Sequence, residues 1–143
     1  KSALFNQGFN TTELIASALS DMDIHAITKY SPIDVDGFEY NALYEKRGML
    51  TQIEPRYHYT YFAHIFSGGY AAGYYSYKWA EQLDADAFAL FKQNGIFDRE
   101  TAMSFLNNVL SRGGTEHPMT LYKRFRGQEP TIDALLIRNG IKK

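Results

Sequence analysis

The sequence contains no cysteine, no long hydrophobic run and no excess of charge of one sign. Without cysteine, the 143-residue chain cannot form a disulfide, a thiolate metal site or a cysteine nucleophile, which is compatible with a reducing compartment. No apolar stretch approaches the ~20 residues needed to span a bilayer. Fifteen basic and sixteen acidic residues give a net charge of -1, which disfavours nucleic acid and anionic membranes as partners.

The chain begins at Lys1 with neither an initiator methionine nor the apolar region of a signal peptide. We therefore expect it to be a fragment of a longer protein. Its 45% hydrophobic and 15% aromatic content is enough to form a core, so residues 1–143 are predicted to be one ordered segment.

Hydrophobic spacing predicts an all-α fold of five to six helices, because no β-type alternation is sustained over five or more positions. Capping and breaking residues set the expected helix ends. The predicted helical ranges are Thr11 to about Lys29, Phe38 to Leu50, Tyr70 to Gln93, Asp98 to Gly113, Pro118 to about Phe125, and Thr131 to Arg138. The segment from Ser31 to Gly37 is predicted to be a loop, and Gly127 is expected just beyond the fifth helix. Apolar spacing predicts the hydrophobic face of the first helix at Leu14, Ile15, Ala18, Leu19, Met22 and Ile27, and that of the fourth at Ala102, Phe105, Leu106, Val109 and Leu110.

The most distinctive stretch lies between residues 61 and 79, where one histidine, three glycines and five tyrosines occur close together. A buried tyrosine needs a hydrogen-bond partner for its hydroxyl. Several phenols beside a glycine-rich loop at about residues 67–73 therefore suggest a surface that grips a polar ligand or a developing negative charge.

Each feature of this stretch also has a plainer structural explanation. On a helix, Tyr70, Tyr74 and Tyr77 would share one face, and aromatic residues at that spacing are often core residues. His64 favours a functional role, since a histidine and phenols that converge across a glycine turn can polarise a carbonyl. Gly68-Gly69 provides either a hinge that lets backbone approach a ligand closely or a simple helix entry, and phosphate binding is disfavoured without Gly-Lys-Ser/Thr.

Four histidines, at positions 25, 58, 64 and 117, raise the question of a metal site. None belongs to a His-Glu-x-x-His motif, so no metal site is predicted within this chain. His25 is interpreted as a satisfied polar residue at the edge of the core. A serine nucleophile is also disfavoured, because Ser67 does not lie in a Gly-x-Ser-x-Gly turn.

Four motifs together resemble the carboxy-terminal part of the thimet oligopeptidase and peptidyl-dipeptidase family of zinc metallopeptidases, and are most like its bacterial peptidyl-dipeptidase members. They are the sequence of residues 61–79, Leu83-Asp-Ala-Asp-Ala-Phe88, Ser111-Arg-Gly-Gly-Thr115 and Tyr122-Lys-Arg-Phe-Arg-Gly-Gln-Glu-Pro130. The likeness covers most of the chain, and motifs of this length and order are highly specific.

The resemblance implies an all-α enzyme with a deep channel, of which this chain forms one half. Such an enzyme hydrolyses short peptides, and a dipeptidase-type member releases dipeptides from the carboxyl end. Zinc would be held upstream of Lys1, so the chain alone is expected to bind no zinc and to be inactive. The alternatives are a fragment of an oligopeptidase-type endopeptidase and a non-catalytic helical module that binds peptides.

The resemblance also implies roles for individual residues. Tyr77 would donate its phenol to the tetrahedral oxyanion, with His64 and Tyr70 positioning substrate carbonyls or the same charge. Tyr74 is a weaker candidate for substrate binding, and Arg56 is a conceivable cation for the terminal carboxylate. The expected partners are short peptides and the upstream half of the same polypeptide. The fragment is expected to self-associate, and the expected location is the cytoplasm, with the periplasm as the alternative.

Overall fold

The computed structural model describes residues 4–143, and every regular element in that range is helical, which confirms the all-α prediction. Short π-helical segments at Asn41–Glu45 and Leu106–Leu110 continue the second and fifth α-helices, and Tyr59–Tyr61 forms a 3-10 turn. Within the described range the chain is divided more finely than the five to six helices predicted. Its α-helices are α1 Gln7–His25, α2 Val35–Tyr40, α3 Ala63–Phe66, α4 Ser76–Asn94, α5 Arg99–Phe105, α6 Pro118–Arg126 and α7 Asp133–Arg138.

The chain divides into two compact units, unit 1 up to Lys78 and unit 2 from Trp79 to Lys143. In each unit, one cluster of buried hydrophobic side chains contains several aromatic rings. Among residues 4–143, no helix combines the length and the apolar character that crossing a bilayer requires.

The buried face of α1 is not the apolar face that its sequence suggests. Ile15, Leu19 and Met22 are largely exposed, whereas Leu14 and Ala18 pack against the unit 1 core. The buried positions are small or polar, namely Ala16, Ser17, Ser20 and Asp21. From these positions, the Asp21 side chain and the Ser20 carbonyl make hydrogen bonds to the rest of unit 1.

The core of unit 1 contains Tyr59, Phe62, Ile65 and Tyr74. Complete burial of one large apolar side chain contributes roughly 1.5–3 kcal/mol to the free energy of unfolding. The Tyr59 hydroxyl donates a hydrogen bond to the Ser20 carbonyl at 2.8 Å, which satisfies the polar end of this ring.

Several predicted element boundaries in unit 1 are wrong. The first helix runs from Gln7 to His25, not from Thr11 to about Lys29, and the second ends at Glu45, not Leu50. The helix expected from Tyr70 begins only at Ser76, because residues 67–75 form an irregular segment, which we call the glycine loop. In this loop Gly69 has φ 78° and Ala72 has φ 52°, values that cannot occur within a right-handed helix. The predicted loop before Phe38 is also too long, since α2 already begins at Val35.

Local signals set the helix ends in unit 2. The Asp98 side chain accepts a hydrogen bond from the Thr101 amide at 2.7 Å and caps α5 as predicted. Pro118 occupies the first turn of α6, and Gly127 ends that helix with φ 80°. The last helix begins at Asp133, two residues later than predicted.

The core of unit 2 contains three phenyl rings that pack together. Phe91, Phe105 and Phe125 contact one another with ring centroids 4.9 to 6.1 Å apart. Of the residues of α5 and its π-helical extension that were predicted to face inward, Phe105 and Val109 pack on this core, whereas Ala102, Leu106 and Leu110 are exposed.

Candidate active-site residues

Four aromatic side chains of unit 1 meet in one group, which we call the ring cluster: His64, Tyr70, Tyr74 and Tyr77. His64 lies on α3, the first two tyrosines lie on the glycine loop, and Tyr77 lies in the first turn of α4. The His64 ring centroid is 4.5 Å from that of Tyr70, 5.5 Å from Tyr74 and 5.6 Å from Tyr77. The predicted convergence of histidine and phenols is therefore present, but the tyrosines do not share one helix face.

A hydrogen bond connects the two members of the cluster that were predicted to be catalytic. His64 Nε2 lies 2.8 Å from the Tyr77 hydroxyl. The Tyr70 ring stacks on Tyr77 at 5.4 Å with an interplanar angle of 17°. With the proton on Nε2, the histidine donates to the phenol oxygen and leaves the phenol proton free to point elsewhere.

The environment keeps the Tyr77 phenol in its neutral form. Interaction with the Tyr70 phenol, followed by desolvation, raises the pKa of Tyr77 to about 12. A tyrosine with the ordinary pKa near 10 is already a protonated hydrogen-bond donor at neutral pH, and the raised pKa extends this form to more alkaline pH.

The three tyrosines differ in their access to solvent. Tyr70 and Tyr77 are 37% and 41% exposed, so a ligand can reach both rings. Tyr74 is only 6% exposed and packs edge-on against Phe62 at 5.2 Å, and this burial raises the pKa of its phenol. Tyr74 thus has the environment of a core residue that also contacts His64.

The two glycines of the turn are required for different reasons. A Cβ on Gly68 would lie 2.7 Å from the His64 carbonyl oxygen, so only glycine allows the loop to pack this closely on α3. Gly69 has open space around it but adopts a positive φ. The close approach seen here is between the loop and α3, and the role of Gly68 and Gly69 in substrate binding stays a prediction.

Two buried carboxylates that the sequence did not single out fix the course of this region. Asp21 on α1 accepts hydrogen bonds from the backbone amides of Ala72 and Tyr74, both at 2.9 Å. His25 Nδ1 lies 2.7 Å from the same carboxylate, so His25 has the satisfied environment that was predicted for it. The sequence does contain one indication of the Asp21 role, because Asp21 lies on the same face of α1 as the small residues Ala16, Ser17 and Ser20.

Glu39 plays a similar part on the other side of α3. Its carboxylate accepts a hydrogen bond from the Tyr59 amide at 3.2 Å and lies 2.5 Å from His58 Nδ1. This contact fixes the 3-10 turn that leads into α3, and it engages His58 away from the ring cluster.

Arg56 lies near the ring cluster without belonging to it. Its guanidinium is exposed and sits 5.7 Å from the centroid of the Tyr57 ring, which stacks on Phe62 at 4.8 Å. The positive charge is close enough to act on the phenol of Tyr74, where it lowers the pKa against the larger effect of burial. An anionic group bound near Tyr74 would experience this charge.

The described residues do not form a metal centre of their own. Within residues 4–143, no three histidine or carboxylate side chains lie close enough together to hold a metal ion. His58 and His25 are each paired with one carboxylate, and His64 is hydrogen-bonded to a phenol. These donor sets do not fit zinc.

Comparison with known proteins places these residues in a family context. The model of peptidase family M3 matches residues 1–141. The dipeptidyl carboxypeptidase of Escherichia coli K12 is 42% identical over 97% of this chain and 21% of its own length. Oligopeptidase A of the same organism is 67% identical over 57% of this chain and 12% of its own length. The probable cytosolic oligopeptidase A of Arabidopsis thaliana is 40% identical over 96% of this chain and 20% of its own length. The chain thus spans about a fifth or less of the length of these relatives.

Proposed function

The chain belongs to peptidase family M3, and we propose that it is the carboxy-terminal portion of a zinc metallopeptidase that hydrolyses short peptides. The relatives named above carry peptidase names, which supports a peptidase as the parent protein. Because the chain corresponds to about a fifth of those relatives, the activity is proposed for the whole polypeptide. The chain alone is proposed to be inactive.

The observation that carries the proposal is the hydrogen-bond contact between His64 and the hydroxyl of Tyr77, a residue that is partly exposed to solvent. With Nε2 protonated, His64 fixes the phenol oxygen, and the phenol proton can be donated to negative charge that develops on a peptide carbonyl. Tyr70 stacks beside Tyr77 and offers a second hydroxyl to the same substrate. This chain therefore supplies hydrogen-bond donors and substrate contacts.

We propose that the zinc is held by the rest of the polypeptide, since the histidine and carboxylate groups described here do not form a metal site. The catalytic contribution of this chain then lies in orienting the substrate and in stabilising charge through its phenols.

Within this function we favour a peptidyl-dipeptidase that releases carboxy-terminal dipeptides. Arg56 provides an exposed cation near Tyr74 that could bind a free terminal carboxylate. An endopeptidase of the oligopeptidase A type is the second candidate, and the 67% identity to that protein over part of the chain favours it.

The role of Tyr77 is tested by Tyr77→Phe in the complete polypeptide. Loss of one oxyanion donor should lower kcat on the order of 10²-fold or more, with little change in KM. Tyr75→Phe is the matched control, because Tyr75 is exposed, adjacent and outside the ring cluster. Equal kcat values for wild type and Tyr77→Phe would contradict the assignment.

The mode of cleavage is tested with matched peptides that end in a free carboxylate or in an amide. A peptidyl-dipeptidase should cleave the free acid and largely fail on the amide, and Arg56→Gln should raise KM only for the acid. Arg99→Gln, an exposed change in unit 2, controls for loss of one surface charge. Equal cleavage of both peptides would instead support the endopeptidase.

A non-catalytic peptide-binding module would behave differently from both enzymes. It would bind the peptides with no turnover even when the whole polypeptide and zinc are present. Chelator-sensitive cleavage by the 143-residue chain alone would contradict its proposed inactivity.

We also propose that the isolated chain self-associates. Unit 2 has an apolar groove of about 610 Å³, beside which the Trp79 and Phe88 side chains are substantially exposed. Exposed apolar surface of this kind favours association. Light scattering over a concentration series should show a rising mass, and a constant monomer mass would refute this.

A cytoplasmic location, with the periplasm as the alternative, also stays a proposal, and cell fractionation would decide it.

A further inference from the structure

We infer that Asp21 is a positioning residue that holds the glycine loop so that the hydroxyls of Tyr70 and Tyr77 stay aimed at the substrate, an inference that rests on the proposed function. Asp21 lies on α1, and its side chain contacts His25 and two backbone amides of the loop. It makes no hydrogen bond to a side chain of the ring cluster. Its effect on chemistry therefore passes through the backbone.

The carboxylate uses both of its oxygens on the loop. Oδ1 accepts from the amide of Ala72 and Oδ2 accepts from the amide of Tyr74, both at 2.9 Å. The side chain is fully buried, so water does not compete for these bonds. Hydrogen bonds between an ionised carboxylate and backbone amides are about twice as strong as neutral ones, and two of them fix both the position and the direction of the segment.

The same turn of α1 also holds the chain on the other side of His64. The carbonyl of Ser20 accepts the Tyr59 hydroxyl at 2.8 Å, just before α3 begins. Two adjacent residues of α1, Ser20 and Asp21, thus bind the segments that precede and follow α3. The position of His64 relative to the loop tyrosines therefore depends on this one turn of α1.

The conformation of Ala72 indicates that the loop needs this restraint. Its φ of 52° lies in the left-handed region, which is unfavourable for any residue with a Cβ. The Ala72 amide is one of the two groups that Asp21 binds. Without the carboxylate, we expect the Ala72 backbone to relax to a negative φ, which would displace Tyr70 and Tyr74.

Asp23 offers a matched control on the same helix. It is also mostly buried and ionically paired, but its partners are Lys46 and Arg47 and not the glycine loop. Asp21→Asn and Asp23→Asn therefore remove the same charge from positions two residues apart on α1, and only the first removes an acceptor from the loop.

The two variants are compared in the complete polypeptide by steady-state kinetics. Asp21→Asn should lower kcat by about tenfold to 10²-fold at nearly constant KM, because small displacements of a donor cost rate more than binding. Asp23→Asn should leave kcat within about twofold of wild type. Equal kcat in wild type and Asp21→Asn would overturn the positioning role.

A second readout follows the loop itself in the complete polypeptide. By hydrogen exchange resolved to single residues, the amides of Ala72 and Tyr74 should exchange at least about tenfold faster in Asp21→Asn, with unchanged exchange in the middle of α1. The pKa of the Tyr77 phenol should also move toward the ordinary tyrosine value, since its interaction with the Tyr70 phenol depends on the position of the loop. Wild-type exchange at both amides would overturn the proposed restraint.

His25→Ala provides a second variant in case Asp21→Asn does not fold. It removes the ring that lies 2.7 Å from Asp21 Oδ1, and it should accelerate exchange of the same two amides by a smaller factor. No acceleration in a folded His25→Ala chain would overturn the inference. If Tyr77→Phe keeps full kcat, the proposed function fails, whereas the exchange data still decide whether Asp21 holds the loop.

Discussion

Among residues 4–143, one aspartate in each unit is almost completely buried, and the two are used in different ways. Asp21 in unit 1 binds the backbone amides of a loop. Asp86 in unit 2 is 2% exposed and accepts hydrogen bonds from the side chains of Tyr122 at 2.7 Å and Arg126 at 3.1 Å. A carboxylate that binds backbone determines where a segment runs, whereas one that binds side chains fastens two helices that are already formed.

The aromatic groups of the two units show the same contrast. In unit 1 three tyrosines contact a histidine, and two of them, Tyr70 and Tyr77, are partly exposed to solvent. In unit 2 the clustered rings are phenyl groups, and the buried hydroxyl of Tyr122 is bound to Asp86. Unit 1 thus carries groups able to contact a substrate, and the buried polar groups of unit 2 serve its stability.

The largest expected effect is on stability, from Asp86→Ala. Removing the carboxylate leaves the mostly buried Arg126 without its partner, which should lower the free energy of unfolding by about 3–5 kcal/mol. Asp84→Ala is the control, because Asp84 is 68% exposed and pairs with Arg138 at the surface; it should cost less than about 1 kcal/mol. Urea unfolding monitored through Trp79 measures both, and equal costs would break the contrast drawn here.

The next effect comes from removing one hydroxyl in unit 2. Tyr122→Phe deletes a donor to Asp86 and should destabilise the chain by about 1–3 kcal/mol. In the complete polypeptide its kcat should match wild type, which is the opposite of the expectation for Tyr77→Phe. A large fall in kcat with unchanged stability would show that unit 2 takes part in the chemistry.

A smaller effect compares two glycines with nearly equal backbone conformations. Gly69 has φ 78° and Gly127 has φ 80°, and a Cβ meets no atom within 4 Å at either position. Alanine at either site should cost about 1–2 kcal/mol of stability from backbone strain alone. Only Gly69→Ala should also lower kcat, because it lies in the glycine loop. Unchanged kcat in Gly69→Ala would show that the loop tolerates this strain without moving the phenols.

The smallest expected effect is a loss of folding stability at alkaline pH, where the buried tyrosines ionise. Burial raises the pKa of Tyr59 to about 12, and burial together with the bond to Asp86 raises the pKa of Tyr122 as well. Unfolded tyrosines ionise near pH 10, so the stabilisation is complete below that pH and is lost as the pH rises through about 12. Unfolding curves from pH 8 to 12 should show this decline, and Tyr59→Phe should make it shallower. A decline as steep as that of wild type would contradict the assigned pKa.

Local chemistry allowed several helix ends to be predicted. Asp98, Pro118 and Gly127 act through their own hydrogen bonds or backbone preferences, so their effects can be read from neighbouring residues alone. The helix expected from Tyr70 failed for the opposite reason. Its first residues are held in a loop by Asp21, which lies 51 positions from Ala72, and intrinsic propensity does not include such a contact.

The candidate site shows the same division. The proximity of His64 to the phenols followed from their density in the sequence and from the family resemblance. The burial of Tyr74 and the parts played by Asp21 and Glu39 did not, since they depend on which face of α1 turns inward. That face was misjudged because apolar spacing was weighed and buried polar partners were not.

The left-handed backbone at Ala72 has one more consequence. Glycine there would relieve the strain but would give the chain many alternative paths. Alanine has fewer accessible backbone conformations than glycine, so less conformational entropy is lost when its amide binds the Asp21 carboxylate. The methyl group thus exchanges local strain at one residue for a smaller entropic cost of ordering the whole segment.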